Sequence, residues 1–166
     1  MNIAQTRKHD IANGPGIRLT IFVSGCTHNC KECFNEEYQD FNYGKALDDK
    51  LLNEILDMSK DEHITGISIL GGEPMQQNPD EMIKLLDALK KASVNKPIWL
   101  WSGYTFDEIL KLSGSKEILK YIDVLIDGRF IISKKDVRLK YCGSTNQRVI
   151  DVKKSLENSN VVIYDI

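Results

Sequence analysis

The sequence predicts an α/β fold on a mostly parallel sheet, and three observations carry that prediction. Short β-branched or aromatic runs alternate with amphipathic helical patterns, the rhythm of βαβ units. Glycine- or cysteine-rich segments follow the strand candidates, at the strand ends where α/β folds collect their chemistry. The chain, read as one domain over 1–166, has 166 residues, well short of the roughly 250 of a closed eight-unit barrel. It therefore supplies about four to six units, as an open doubly wound sheet or an incomplete barrel.

The elements follow in order. Ile17–Val23 is apolar, β-branched and partly alternating, and reads as the first strand. Leu47–Ser59 repeats apolar residues near a 3.6-residue period and reads as a helix. Thr65–Leu70 is a second strand, closed by Gly71-Gly72. Pro79–Ala92 is a second amphipathic helix, with Asn78 as N-cap and Pro79 at N1, where its missing donor does no harm. Pro97–Trp101 is the third strand, Phe106–Leu112 and Lys116–Tyr121 are short helical pieces, and Asp123–Ile126 is the fourth strand. Trp99 and Trp101 share one face of their strand, as packing residues do. A basic stretch, Lys134–Lys140, reads as a solvated face or a docking tract. Arg148–Asp151 and Val161–Tyr164 are later strand candidates around a short helical piece.

Composition narrows the class. Hydrophobic residues make up 42% of the chain and charged residues 28%, enough to bury a core and against a disordered chain. Twenty-two basic residues against 24 acidic ones leave a formal charge of −2, so nothing points to nucleic acid or an anionic membrane as partner. No apolar run approaches the roughly 20 residues of a membrane span. The opening MNIAQTRKHD lacks the apolar stretch of a signal peptide, so a cytoplasmic location is expected.

The cysteines sharpen this. Cys26, Cys30 and Cys33 form a C-x₃-C-x₂-C array on the loop after the first strand, and Cys142 is remote. Three thiolates can hold three irons of a [4Fe–4S] cluster and leave the fourth iron without a protein ligand, the open position that metal chemistry needs. A zinc site completed by Cys142 or His28 is the competing reading. His28 itself is expected to face solvent, and Cys142 to be a small, partly buried residue.

With Gly71-Gly72-Glu73-Pro74 after the second strand, the cysteine array resembles the radical S-adenosylmethionine (SAM) enzymes. Asn13-Gly14-Pro15-Gly16-Ile17-Arg18, otherwise only a tight turn, narrows the resemblance to the glycyl-radical-enzyme activases. Trp99–Tyr104, Leu125–Phe130 and Gly143–Arg148 make the chain most similar to the activating proteins of anaerobic (class III) ribonucleoside-triphosphate reductases, over residues 3 to 151. Glu32 stands where the wider superfamily has an aromatic, and Cys142 where these small activases more often have a basic residue.

The resemblance implies a partial TIM-like barrel of radical SAM type and one [4Fe–4S] cluster on Cys26, Cys30 and Cys33. It also implies SAM as cofactor and a glycyl radical raised on the reductase, with a low-potential donor such as flavodoxin supplying the electron. Cys33, with Glu32 and Phe34 beside it, is then expected along SAM, the two flanking residues against its adenine. Gly71, Gly72 and Glu73 are expected to receive SAM's amino group, with Ser102 and Asp127 touching its carboxylate or ribose. The competing readings are an ST-turn for Ser102 and a turn-forming Asp-Gly for Asp127-Gly128. At the level of the protein, the alternatives are a pyruvate formate-lyase-type activase, a plain iron–sulfur electron carrier and a zinc-stabilised module.

Overall fold

The computed structural model describes residues 1–166. Seven strands form one sheet: β1 (Asn2–Asp10), β2 (Arg18–Val23), β3 (Lys45–Ala46), β4 (Gly66–Gly71), β5 (Ile98–Trp101), β6 (Val124–Asp127) and β7 (Arg148–Asp151). The helices are α1 (Asp49–Ser59), α2 (Pro79–Ala92), α3 (Phe106–Ile109), α4 (Ser115–Leu119) and α5 (Val152–Asn158). The sheet runs β3-β1-β2-β4-β5-β6-β7. The pairs β2–β4, β4–β5 and β5–β6 are parallel, while β1, β3 and β7 join antiparallel. The fold is α/β, with a parallel centre and antiparallel margins.

Register explains why the helices gather on one side. Ile21 lies opposite Ile69, Ile69 opposite Leu100, Leu100 opposite Leu125, and Leu125 opposite Ile150. This row crosses five strands, and every member is fully buried. Side chains alternate along a strand, so the row belongs to one face of the sheet. Onto it pack Ile55 of α1, Met82, Leu85, Leu86 and Leu89 of α2, Phe106 and Ile109 of α3, and Ile118 and Leu119 of α4. A smaller cluster of Trp99, Val124, Ile126 and Val149 occupies the opposite face, packed by Trp101, Tyr141, Cys142 and Tyr164.

The element boundaries have local causes. Helix α2 runs from Pro79 as its sequence predicts, and the Asn78 side chain accepts from the Asp80 and Glu81 N–H groups. Helix α1 starts at Asp49 rather than Leu47, because Asp48 is the N-cap and the Leu47 N–H is spent on the Met1 carbonyl. The Phe106–Leu112 expectation shrinks to α3, closed by a Thr105–Glu108 capping box, with turn hydrogen bonds continuing to Leu112. Segment 161–164 strings along β7 through Asp151 N–H to the Val162 carbonyl and Tyr164 N–H to the Val149 carbonyl. Strand β1 is an addition to the expected set. Its only buried residues are Ile3 and Asp10, and two register shifts against β2 break its alternation. No helix is long and apolar enough to cross a membrane.

Arg18 is the odd member of the opposite face. It is buried, yet no carboxylate lies within ion-pairing distance. Its Nε donates to Ser68 Oγ at 2.6 Å, and one terminal nitrogen donates to the Ile67 carbonyl at 2.5 Å and the Pro97 carbonyl at 3.1 Å. The guanidinium also sits 5.3 Å from the centre of a Trp99 ring. Burial pulls its pKa down to about 10. Ser68 Oγ in turn donates to the Asn13 carbonyl, so this one cation ties the 11–17 hairpin connection to β4 and to the residue before β5. Arg18→Ala leaves these acceptors without donors and opens a void. A loss of about 3 kcal/mol is expected, read as a lowered midpoint in urea unfolding with an unchanged slope.

Candidate functional site

The C-terminal ends of the parallel strands converge on a cleft of about 400 Å³. Its first wall is the loop after β2. Gly25 N–H donates to the Tyr38 carbonyl at 2.8 Å and Cys26 N–H to the Gln39 carbonyl at 3.0 Å, which folds residues 26–37 back as an excursion. Cys26, Cys30 and Cys33 are all on this excursion, partly exposed, unbridged, and all line the cleft.

The second wall is the end of β4. Gly71 has φ +114°, and a Cβ there would stand 2.5 Å from the Val23 carbonyl oxygen. A Cβ on Gly72 would meet the Gly25 and Tyr38 carbonyl oxygens at 2.6 and 2.7 Å. Both positions need glycine for reasons internal to the chain, because β4's end is pressed against the root of the cysteine loop. The contact is bonded as well as packed. Gly72 N–H donates to the Val23 carbonyl and Glu73 N–H to the Gly25 carbonyl, each at 2.8 Å.

Glu73 is buried at the centre of this junction. Its Oε1 accepts from Met75 N–H at 2.9 Å and Ser102 Oγ at 2.8 Å. Its Oε2 accepts from Gly103 N–H at 2.6 Å and meets His28 Nε2 at 2.9 Å. A carboxylate has about four lone-pair sites, and here all four have partners. The donors come from the turn after β4, the end of β5 and the cysteine loop.

Two glutamines complete the clamp. Gln76 Oε1 accepts from Thr27 N–H at 2.8 Å, and its Nε2 donates to Thr27 Oγ1 at 2.9 Å and Tyr104 Oη at 3.0 Å. Gln77 Nε2 donates to the Ser24 carbonyl at 2.9 Å and the Glu73 carbonyl at 3.0 Å. Asn35 Nδ2 reaches the Gly71 carbonyl at 3.3 Å from the far side of the loop.

The thiols fit a group with several metal atoms better than a single ion. No three His, Cys, Asp or Glu side chains converge on one point that could hold a single ion. Three separate thiols facing one cleft suit a cluster in which each takes its own iron. The backbone N–H of His28 approaches Cys26 Sγ at 3.5 Å, a contact that favours thiolate there, and that of Asn35 approaches Cys33 Sγ at 3.4 Å. Burial, the carboxylate of Glu73 and the other two cysteines oppose it, and the Cys26 thiol is pushed up to about 11. Burial and then Cys33 raise Cys30 likewise. Positive charge from bound metal would reverse that balance and release the protons.

Of the other residues singled out in the sequence, Phe34, Gly71, Gly72, Glu73 and Ser102 line the cleft with the thiols. Phe34 is an exposed rim residue, its ring centre 4.8 Å from that of Phe130 and 5.3 Å from Lys135 Nζ. Ser102 Oγ accepts from Tyr104 N–H at 3.1 Å, the ST-turn reading, and also supports Glu73. Glu32 and Asp127 are not among the lining residues. Glu32 is exposed with φ +55°. Asp127 is buried, its carboxylate taken by Phe106 N–H at 2.7 Å and by Arg148 at 3.0 and 2.5 Å. Cys142 packs beside Trp99 instead. The expectation for His28 is corrected. Its side chain is 5% exposed, because the carboxylate of Glu73 and the ring of Tyr104 enclose it. Gln76, Gln77, Asn35 and Tyr104 were not expected as site residues, and His28 was considered only as a zinc ligand. The available signal was position: two amides directly after Gly71–Met75, and polar residues inside the cysteine spacing.

A family described as a 4Fe-4S single cluster domain matches residues 12–150. The anaerobic ribonucleoside-triphosphate reductase-activating protein of Haemophilus influenzae is 40% identical over 150 residues, covering 89% of this chain and 96% of that protein. The protein of the same name from Escherichia coli K12 is 38% identical over 154 residues, covering 90% and 97%. That of enterobacteria phage T4 is 35% identical over 150 residues, covering 90% and 93%.

The raised thiol of Cys26 gives a measurable expectation. A pKa moved from 9.0 to about 11 lowers the thiolate fraction near pH 8 about 100-fold. Alkylation of Cys26 in metal-free protein, followed by peptide mass mapping, is expected to be about 10- to 100-fold slower than for an unshifted thiol, because the higher-pKa thiolate is the better nucleophile and offsets part of that loss. Its rate should climb until the pH passes 11 rather than 9.

Proposed function

We propose, given that this chain belongs to the family of anaerobic ribonucleoside-triphosphate reductase-activating proteins, that it raises a glycyl radical on such a reductase by cleaving SAM at a [4Fe–4S] cluster on Cys26, Cys30 and Cys33. One observation carries the reading: three unbridged thiols share a cleft with a buried carboxylate at the ends of parallel strands. Such a cluster, when bound, would supply the single electron, passed on from a low-potential donor, that cleaves the sulfonium C–S bond of SAM so that a hydrogen atom can be taken from the glycine Cα.

The chain's own residues provide position. Cys26, Cys30 and Cys33 would hold three irons of such a cluster, and the fourth would be available to SAM in the same cleft. Glu73 receives the ammonium group through a charge-assisted hydrogen bond. Gly71 and Gly72 keep bulk away from that point. Cys33 brings SAM's neighbourhood to Phe34, whose ring, with that of Phe130, offers an aromatic face to the adenine at the rim, and Glu32 flanks it from outside. Ser102 and Asp127 act from behind, Ser102 by holding Glu73 and Asp127 by fixing Arg148 and the start of α3.

The same reading extends to the fold. In a doubly wound sheet the strand order reverses and helices cover both faces. Here β2, β4, β5 and β6 keep chain order, and α1–α4 cover one face. That favours a partial TIM-like barrel of radical SAM type, one domain over 1–166. Its unclosed side admits the reductase loop that bears the glycine. A low-potential donor such as flavodoxin, and a cytoplasmic setting, complete the proposal.

The test is electron paramagnetic resonance after anaerobic mixing of reconstituted protein, SAM, a reductant and the reductase. A glycyl-radical doublet on the reductase is the expected result. A doublet on pyruvate formate-lyase instead would redirect the activity, and a cluster that is reduced but leaves SAM intact would make this an electron carrier. Cys26→Ala, Cys30→Ala and Cys33→Ala should each strip iron and cut SAM cleavage at least about 100-fold. Cys142→Ser should leave the iron content and the visible spectrum unchanged.

A further inference from the structure

The four-donor shell of Glu73 is complete within the chain itself, so an ammonium group needs one donor to leave. Three of the four are fixed. Met75 N–H is set by the turn that follows Glu73, and Gly103 N–H by the end of β5. Ser102 is buried, its hydroxyl held from the other side by Tyr104 N–H. The fourth, His28, comes from residues 24–30, which have no regular secondary structure.

The His28 ring is nonetheless built into place. Its side chain is 5% exposed, and its centre lies 4.5 Å from that of Tyr104 in an edge-on contact. The backbone of Gly103 leaves it room, since a Cβ there would stand 2.5 Å from His28 Cδ2. Gln76 holds both sides of this nest, through Thr27 next to His28 and through Tyr104 Oη. A ring enclosed this way keeps Glu73 paired, which a buried carboxylate requires.

We propose that His28 is a positioning residue that stands in for the ligand's ammonium group on Glu73 and is displaced when that group binds. The inference rests on the reading that Glu73 receives the ammonium of SAM. It gives the cysteine loop a second task, because the segment that carries the thiols also reports whether the carboxylate is occupied. Exchange of one donor for another leaves Glu73 satisfied throughout, and no buried charge is exposed at any stage.

The test is SAM affinity of anaerobically reconstituted protein by equilibrium dialysis, with iron content and visible absorption read in parallel. His28→Ala and His28→Leu remove the competing donor, and leucine keeps bulk against Tyr104 and Gly103. Both should retain iron and bind SAM about fivefold more tightly, the worth of one hydrogen bond no longer displaced. His28→Asn, with a neutral N–H donor, should return the affinity toward that of the parent. A purely structural His28 would give unchanged or weaker binding, and either overturns the proposal, as does loss of iron from both variants. Glu73→Gln separates the two ideas. Unchanged SAM affinity there removes the reading of Glu73 itself. Weakened affinity there, with no tightening in the His28 variants, removes only the role of His28.

Discussion

A buried carboxylate must be surrounded by donors, and much of this cleft follows from meeting that requirement at Glu73. The donors are drawn from the turn after β4, the end of β5 and the cysteine loop. Three segments distant in sequence are thereby fixed to one point. The hydrogen bonds of Gln76 and Gln77 extend the same junction to Thr27 and Ser24, on either side of the first cysteine. The thiols are thus carried by a loop that has no regular structure of its own yet is anchored along its length. That combination suits a ligand set that must be in place before metal arrives and still leave one side of the cleft open.

The sheet separates this chemistry from the stability that supports it. The row from Ile21 to Ile150 and the helices above it form the larger core, and no thiol or cleft carboxylate lies among them. The opposite face is mixed, with aromatics over β5–β7 and polar groups over β2 and β4. Arg18 shows what such a face requires. A buried cation with no acid beside it is satisfied by carbonyls and a hydroxyl, and its pKa falls because those dipoles do not fully replace water.

Much of this was legible in the sequence, and the rest was hidden for physical reasons. The parallel strands and α2 declared themselves because burial of whole faces writes a strong apolar period. Strand β1 did not, since most of its residues are partly or fully exposed and its sequence reads as polar. The C-x₃-C-x₂-C array and Gly71–Pro74 were visible because spacing and composition are local properties. His28 was misread as solvent-facing because its burial depends on Glu73 and Tyr104, 45 and 76 positions along the chain. Asp127 looked like a ligand residue at a strand end. Only its partner Arg148, on the neighbouring strand, reveals that the carboxylate is spent on holding β6 to β7 and α3.

The margins of the sheet argue that its lack of closure is built in. An exposed strand edge invites pairing with another chain, and proteins blunt such edges by shortening or covering them. At one end β3 is two residues long, both exposed, with Lys45 among them. At the other, segment 161–164 lies along β7 and takes up the Asp151 N–H and the Val149 carbonyl. Both margins are managed as ends, so the open form of the sheet carries its own protection. The protected edges let the cleft stay open beside the thiols, with Phe34 and Phe130 at its rim, without offering β-structure to chance partners. For the loop substrate proposed above, edges protected in this way would keep the partner's chain from pairing with the sheet instead of entering the cleft.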